Sequence, residues 1–295
     1  MEGDGKGRRL TRLSEVRSLA DAHGIHPSRA LGQNFLIDGN VLDILITAAD
    51  IHPGDRVLEV GPGMGVVTED LLGCGALVTA IEKDHRLAAL LRETFATEPR
   101  LRLIEGDALD QSVALLREHG LTKLVSNLPY NPGSRILLDV ICADCAPLSI
   151  TVTVQLEVAE RLTARPGCKA YGLLGVWSQL HYEVKTVKVI SPSCFWPRPT
   201  IRSAIVTLHR RPEPLLAPPV FAGFYGLTRH CFQHRRKQLV ALLAKAPEAL
   251  RIPADDSMGL LQRLGIDAEA RPENLTVEAW CMFAQRLHDL QEVPA

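Results

Sequence analysis

Four short apolar segments in the first half of the chain each run into a glycine, an acid or an amide. Arg56–Val60 ends at Gly61, Ala76–Ile81 at Glu82, Leu101–Glu105 at Gly106-Asp107, and Lys123–Ser126 at Asn127. Helix-patterned stretches lie among them, at Asn40–Ala49, Val66–Leu72, Arg86–Phe95 and Ser134–Cys142. Strands alternating with helices build right-handed βαβ units on a parallel sheet. In such a sheet, ligands bind beyond the carboxyl ends of the strands, near the point where strand order reverses. The four polar strand ends therefore mark one rim of the expected sheet as the candidate site. Ser149–Gln155 reads as a further, β-branched strand and Gly172–His181 as a helix. Val184–Ile190 and Ser203–His209 read as strands with no helix between them, so the sheet is expected to finish on an antiparallel element.

Pro212, Pro214, Pro218 and Pro219 fall within eight residues and interrupt regular structure. Beyond them, Phe221–Ala244, Ser257–Leu264 and Val277–Leu290 are patterned as helices. The expected organisation is an α/β domain over residues 1–212, with residues 1–35 as a basic arm, and a small all-α domain over 213–295. With 295 residues and 46% apolar composition the chain can bury a sizeable core, which excludes wholesale disorder. Seven cysteines without a signal segment point to reduced thiols and a cytoplasmic setting, and Cys142 and Cys145 lack a second pair to share a metal. The longest apolar runs are about six residues, such as Leu239–Ala244, far short of a membrane span.

The net charge of −1 excludes a uniformly basic nucleic-acid coat, but it hides a polarity. Residues 6–35 carry net +4 and residues 196–237 net +7, while 36–195 carry −6 and 238–295 carry −4. Two solvated loops would account for this, and so would a phosphate-binding surface. The run Arg229–Lys237 holds four cations and no acid. Read as a helix, it brings Arg229, Arg236 and Lys237 near one face, and with Arg235 these are the candidate phosphate contacts, to RNA if the chain acts on one.

In Glu59-Val60-Gly61-Pro62-Gly63-Met64-Gly65, the glycines Gly61 and Gly63 allow a sharp turn and close approach to a ligand. Val66 stands where a dinucleotide motif needs its third glycine, and no P-loop Lys-Ser/Thr follows. Glu82 lies 21 residues after Gly61, at the next strand end, where an acid accepts both hydroxyls of a ribose. Asp107 can accept from an adenine amino group or cap the following helix. Asn127-Leu128-Pro129-Tyr130 carries the most specific chemistry. The exocyclic amine of adenine is a poor nucleophile because its lone pair is delocalised into the ring. The side-chain oxygen of Asn127 and the backbone carbonyl of Leu128 can accept its two hydrogens. That favours a pyramidal nitrogen with its lone pair aimed at an electrophile. Tyr130 offers a face for stacking the base.

Four motifs occur in one order: Gln33-Asn34-Phe35-Leu36-Ile37-Asp38, Glu59-Val60-Gly61-Pro62-Gly63, Asn127-Leu128-Pro129-Tyr130-Asn131, and Phe195-Trp196-Pro197-Arg198-Pro199 followed by Ser203-Ala204-Ile205-Val206. In these the chain resembles the small-subunit (16S) ribosomal RNA adenine dimethyltransferases over roughly residues 29–240, and Lys169-Ala170-Tyr171-Gly172 matches a further family loop. The resemblance implies a Rossmann-like, S-adenosylmethionine-dependent methyltransferase sheet with a C-terminal helical domain. It implies two methyl groups on each of two adjacent adenines near the 3′ end of small-subunit rRNA, within a pre-30S particle, by a monomer. Asn34, Leu36, Gly61, Glu82, Asp107 and Asn127 match its cofactor-contacting positions. Asn127 and Tyr130 match its target-adenine site, and Phe195 the aromatic on the base's other face. The rivals are a large-subunit rRNA adenine methyltransferase, a group that tends to carry Ile where Leu128 stands, and a non-catalytic nucleic-acid-binding factor on the same scaffold.

Overall fold

A computed structural model describes Leu10 and residues 12–292. The chain divides into two compact units, residues up to Ala159 with Val184–Arg210, and Glu160–Glu183 with residues from Arg211 onward. The strands are β1 (Phe35–Leu36), β2 (Arg56–Val60), β3 (Leu77–Glu82), β4 (Leu101–Glu105), β5 (Lys123–Asn127), β6 (Ser149–Gln155), β7 (Tyr182–Ile190), β8 (Phe195–Trp196) and β9 (Ser203–Arg210). Seven of them form one sheet in the order β4-β3-β2-β5-β6-β9-β7. The chain builds β2, β3 and β4 outward on one side and then crosses to β5, so strand order reverses between β2 and β5. All pairings from β4 to β6 are parallel, and β6 pairs with β9 antiparallel, so an antiparallel strand follows the parallel part of the sheet.

The central strands read as apolar runs because both faces are covered. Val57, Leu58, Leu124, Ile150, Val152 and Leu208 are fully buried. Helices α1 (Leu13–Ala22), α2 (Gly39–Ala49), α3 (Val66–Gly73), α4 (His85–Thr94), α5 (Ala108–His119) and α6 (Gly133–Ile141) belong to the first unit. Three begin on an aspartate whose carboxylate accepts from the first free amides: Asp38 for α2, Asp84 for α4 and Asp107 for α5. Such caps satisfy donors that the helix leaves unpaired and place each helix start directly after a strand or loop end.

The second unit is helical, with α7 (Leu156–Leu162) leading into it and α8 (Leu173–His181), α9 (Phe221–Gln233), α10 (Leu239–Ala244), α11 (Ala254–Arg263) and α12 (Val277–Glu292) packed on Phe224, Trp280 and Phe283. It starts earlier than a single boundary at residue 212 allows. Trp177 donates to the Thr228 hydroxyl (2.9 Å) and Tyr171 to the Leu275 carbonyl (2.7 Å), which ties residues 160–183 to the C-terminal helices. The expected helix over 221–244 is two, broken at 234–238, where the Leu239 amide bonds the Ala270 carbonyl instead of continuing a helix. Among the described residues no helix is long and apolar enough to cross a membrane, and no group of three or more His, Cys, Asp and Glu side chains is placed to hold a metal. All seven cysteines are free.

Candidate active site

A cleft of about 290 Å³ lies at the carboxyl ends of β2 to β5 in the first unit. Every candidate cofactor residue, Asn34, Leu36, Gly61, Gly63, Glu82, Asp107 and Asn127, lines it, as does Leu128. The turn after β2 is held from below by Glu82. Its Oε2 accepts from the Gly63 amide (3.0 Å) and its Oε1 from the Asp84 amide (2.9 Å). Burial raises the Glu82 pKa, and the two amides act against that rise. Gly63 has φ +59°, and a Cβ there would stand 3.0 Å from the Phe35 ring, so a side chain would be strained by the turn and would have to push that ring aside. Asp107 takes the capping role weighed for it and adds an ion pair. One oxygen caps α5 at the Leu109 amide (2.9 Å), and the other pairs with Lys83 (2.5 Å), which holds its pKa below the usual carboxylate range.

Sequence reasoning passed over Glu59, the one charged side chain inside the apolar stretch of β2. It is 1% exposed, lines the cleft and accepts from the Thr68 hydroxyl (2.7 Å). Burial, with the Glu82 charge adding to it, pushes its pKa up to about 8. The signal was available, since an acid in the middle of a central parallel strand has no solvent to face.

Asn127 ends β5 with its two amide atoms in different situations. Its Nδ2 donates to the Asn34 carbonyl (2.8 Å). A carbonyl only accepts, so that contact fixes which end of the amide is nitrogen. The Oδ1 is buried and has no partner among the described residues. An unpaired buried acceptor costs about 1–3 kcal/mol, and a fold keeps such an atom where a ligand supplies the donor.

Tyr130 and Phe195 stand outside the cleft lining. The expected pair of facing rings is corrected by the geometry, in which they meet edge to face, centroids 6.4 Å apart at 69°. Two ring faces with a base between them would lie near parallel at about 7 Å, twice an ordinary carbon contact distance. Phe195 is fixed by strand pairing, since β1 and β8 form a two-stranded ribbon with Leu36 opposite Phe195 and Phe35 opposite Trp196, and it is only 2% exposed. The Tyr130 ring is held at its far end by the Ser203 hydroxyl (2.5 Å), and burial raises its pKa.

The basic segment 196–237 is divided between the two units. The reading that puts Arg229, Arg236 and Lys237 on one helix face does not hold, because α9 ends at Gln233. Arg229 lies over the Trp177 ring, 5.2 Å from its centroid. Arg235 donates twice to Glu273 (2.5 and 3.0 Å) and to the Lys169 carbonyl (3.4 Å). Both are engaged within the second unit, Arg229 while exposed and Arg235 half-buried, and Arg236 and Lys237 are exposed beside them. Lys6, Arg8 and Arg9 of the N-terminal arm lie outside the described residues.

A family model described as ribosomal RNA adenine dimethylase matches residues 26–289. The Ribosomal RNA small subunit methyltransferase A of Deinococcus radiodurans is 38% identical over 268 residues, covering 89% of this chain and 86% of its own. That of Phenylobacterium zucineum is 36% identical over 287 residues, 97% of both chains. Among solved structures, a dimethyladenosine transferase from Plasmodium falciparum matches with a TM-score of 0.72 at 25% identity, over 86% of this chain and 98% of its own. The 23S rRNA methyltransferase ErmE matches with a TM-score of 0.67 at 26% identity, over 86% of this chain and 100% of its own.

Proposed function

This chain belongs to the ribosomal RNA adenine dimethylase family, and we propose on that premise that it transfers methyl groups from S-adenosylmethionine to N6 of two adjacent adenines near the 3′ end of 16S rRNA. The observation that carries the reading is the Asn127 amide, whose nitrogen is committed to the Asn34 carbonyl and whose oxygen is buried without a donor. An exocyclic amine brings the missing donor. The names of the curated relatives favour the small subunit over the large-subunit alternative.

The residues of the cleft fit the cofactor. Glu59, Glu82 and Asp107 line it, and Lys83, the one cation among the described lining residues, is paired with Asp107. Such a lining favours a ligand of net positive charge and releases a neutral product. Bound there, S-adenosylmethionine supplies an electrophilic methyl group on a sulfonium. Each Glu82 oxygen accepts one amide and keeps a second lone-pair direction for a ribose hydroxyl. Asp107 has the same spare capacity for an adenine amino group. Asn127 Oδ1 and the Leu128 carbonyl hold the two amine hydrogens of the target and turn its lone pair outward. Tyr130 presents a ring face to the extruded base, with Phe195 bracing that ring at its edge. Arg236 and Lys237 contribute phosphate contact. We assign the enzyme to the cytoplasm as a monomer that acts on a pre-30S particle.

The test is incubation of the protein with labelled S-adenosylmethionine and unmethylated small subunits, followed by mapping of the modified nucleotides. Label on two adjacent adenines near the 3′ end of 16S rRNA supports the reading. Label elsewhere in the small-subunit RNA, or none, overturns it.

A further inference from the structure

Residues 28–36 form a strap along the cleft, and its residues Ala30 to Leu36 belong to the lining. The strap is closed on itself at Ser28, whose amide donates to Gln33 Oε1 (2.7 Å) and whose carbonyl accepts the Gln33 amide (3.2 Å). Against it runs the loop after β5, in the opposite direction. Asn127 Nδ2 donates to the Asn34 carbonyl (2.8 Å), the Tyr130 amide to the Gly32 carbonyl (3.3 Å), and Asn131 Nδ2 to the carbonyls of both Arg29 and Ala30 (3.1 Å each). Gly32 is pressed onto that loop, with φ +67° and a Cβ position 2.8 Å from the Asn131 nitrogen and 2.9 Å from the Tyr130 nitrogen. The loop holding the candidate amine acceptor and the strap covering the cleft are therefore one hydrogen-bonded assembly.

We infer that Asn131 is a positioning residue, the outer latch that keeps the strap closed over the cofactor and so keeps Asn127 turned toward the target amine. Asn131 is exposed, whereas the Asn127 contact is half-buried, so the assembly opens first at the Asn131 end. Both of its contacts go to carbonyls, which only accept, so the amide nitrogen is the working end and a donor is required there. The inference rests on the proposed reaction in one respect. Two methyl groups on each of two adenines take four transfers, and each needs spent cofactor to leave and fresh cofactor to enter past the strap.

The test compares wild type with Asn131→Ala and the isosteric Asn131→Asp. Three quantities are read: S-adenosylmethionine dissociation by stopped flow, single-turnover methylation at saturating cofactor, and amide hydrogen exchange over residues 28–36 without ligand. Loss of two partly solvated hydrogen bonds should speed dissociation about three- to tenfold in Asn131→Ala. Asn131→Asp should be faster still, because a carboxylate facing two carbonyls has no donor and repels both. Strap exchange should rise in the same order, and the single-turnover rate should fall even at saturating cofactor. A merely space-filling asparagine would tolerate Asp, so wild-type dissociation and strap exchange in Asn131→Asp overturn the inference. If the wild type bound no S-adenosylmethionine, the functional reading would fall. The exchange comparison would still decide whether Asn131 holds the strap.

Discussion

Filling the cleft with S-adenosylmethionine should drive a proton off Glu59. Its carboxyl is buried in β2, and burial together with the charge of Glu82 pushes its pKa up to about 8. At pH 7 a group with that pKa is protonated in about nine molecules of ten. A cationic ligand favours the carboxylate. At roughly 4 Å and an effective dielectric of about 20 the attraction is about 4 kcal/mol, enough to return the carboxyl to its ordinary range. Binding at pH 7 should therefore release about 0.9 proton, and affinity should rise about tenfold per pH unit up to pH 8 and level off above it. Calorimetry in buffers of different ionisation enthalpy measures the proton number directly. Glu59→Gln should lose most of the release, and what remains reports Glu82, whose pKa burial also raises. Equal proton release in wild type and Glu59→Gln, or none in wild type, would refute the argument. The same group makes a prediction for the unliganded protein. Its folded pKa lies above the unfolded value of 4.5, so the native state holds the extra proton between them. That stability is fully present below pH 4.5 and is lost as pH rises through about 8. Thermal melts should weaken over that window, and less so in Glu59→Gln.

Asn127→Ala should lower the single-turnover rate by roughly 10²–10³ at saturating cofactor, the usual loss for one preorganised polar contact, and rates near wild type would remove Asn127 from catalysis. Glu82→Ala should weaken S-adenosylmethionine binding by about 1.5–3 kcal/mol by calorimetry. It should also lower the melting temperature, since Glu82 holds the Gly63 and Asp84 amides, and unchanged affinity in a folded variant would exclude it from the site. The double variant Arg236→Ala, Lys237→Ala should weaken rRNA binding and flatten its salt dependence by about one to two units of slope, so parallel lines against wild type would retire the phosphate contact. Arg235→Ala should instead lower the melting temperature, because its guanidinium is spent on Glu273 and the Lys169 carbonyl.

What could be read from the chain followed from periodicity. The strands β2, β3, β5 and β6 and their polar ends were legible because burial on both faces demands apolar runs, and those runs have to stop where the cleft begins. The two-residue strands β1 and β8 are too short to carry a period, so their pairing of Leu36 with Phe195 was invisible, and with it the edge-to-face setting of Phe195. Helix α8 is buried nearly all round, at Leu174, Val176, Trp177 and Leu180, and such a pattern does not say which unit it serves. The break at 234–238 is likewise set by partners far along the chain, Glu273 for Arg235 and Ala270 for Leu239. The limit is sharpest at Asn127. Its residue type and place at a strand end point to an amine acceptor, yet an amide has a donor end and an acceptor end of almost the same shape. Which of them is left for a ligand is decided by the Asn34 carbonyl, 93 residues away in the chain, and so by the strap that closes the cleft.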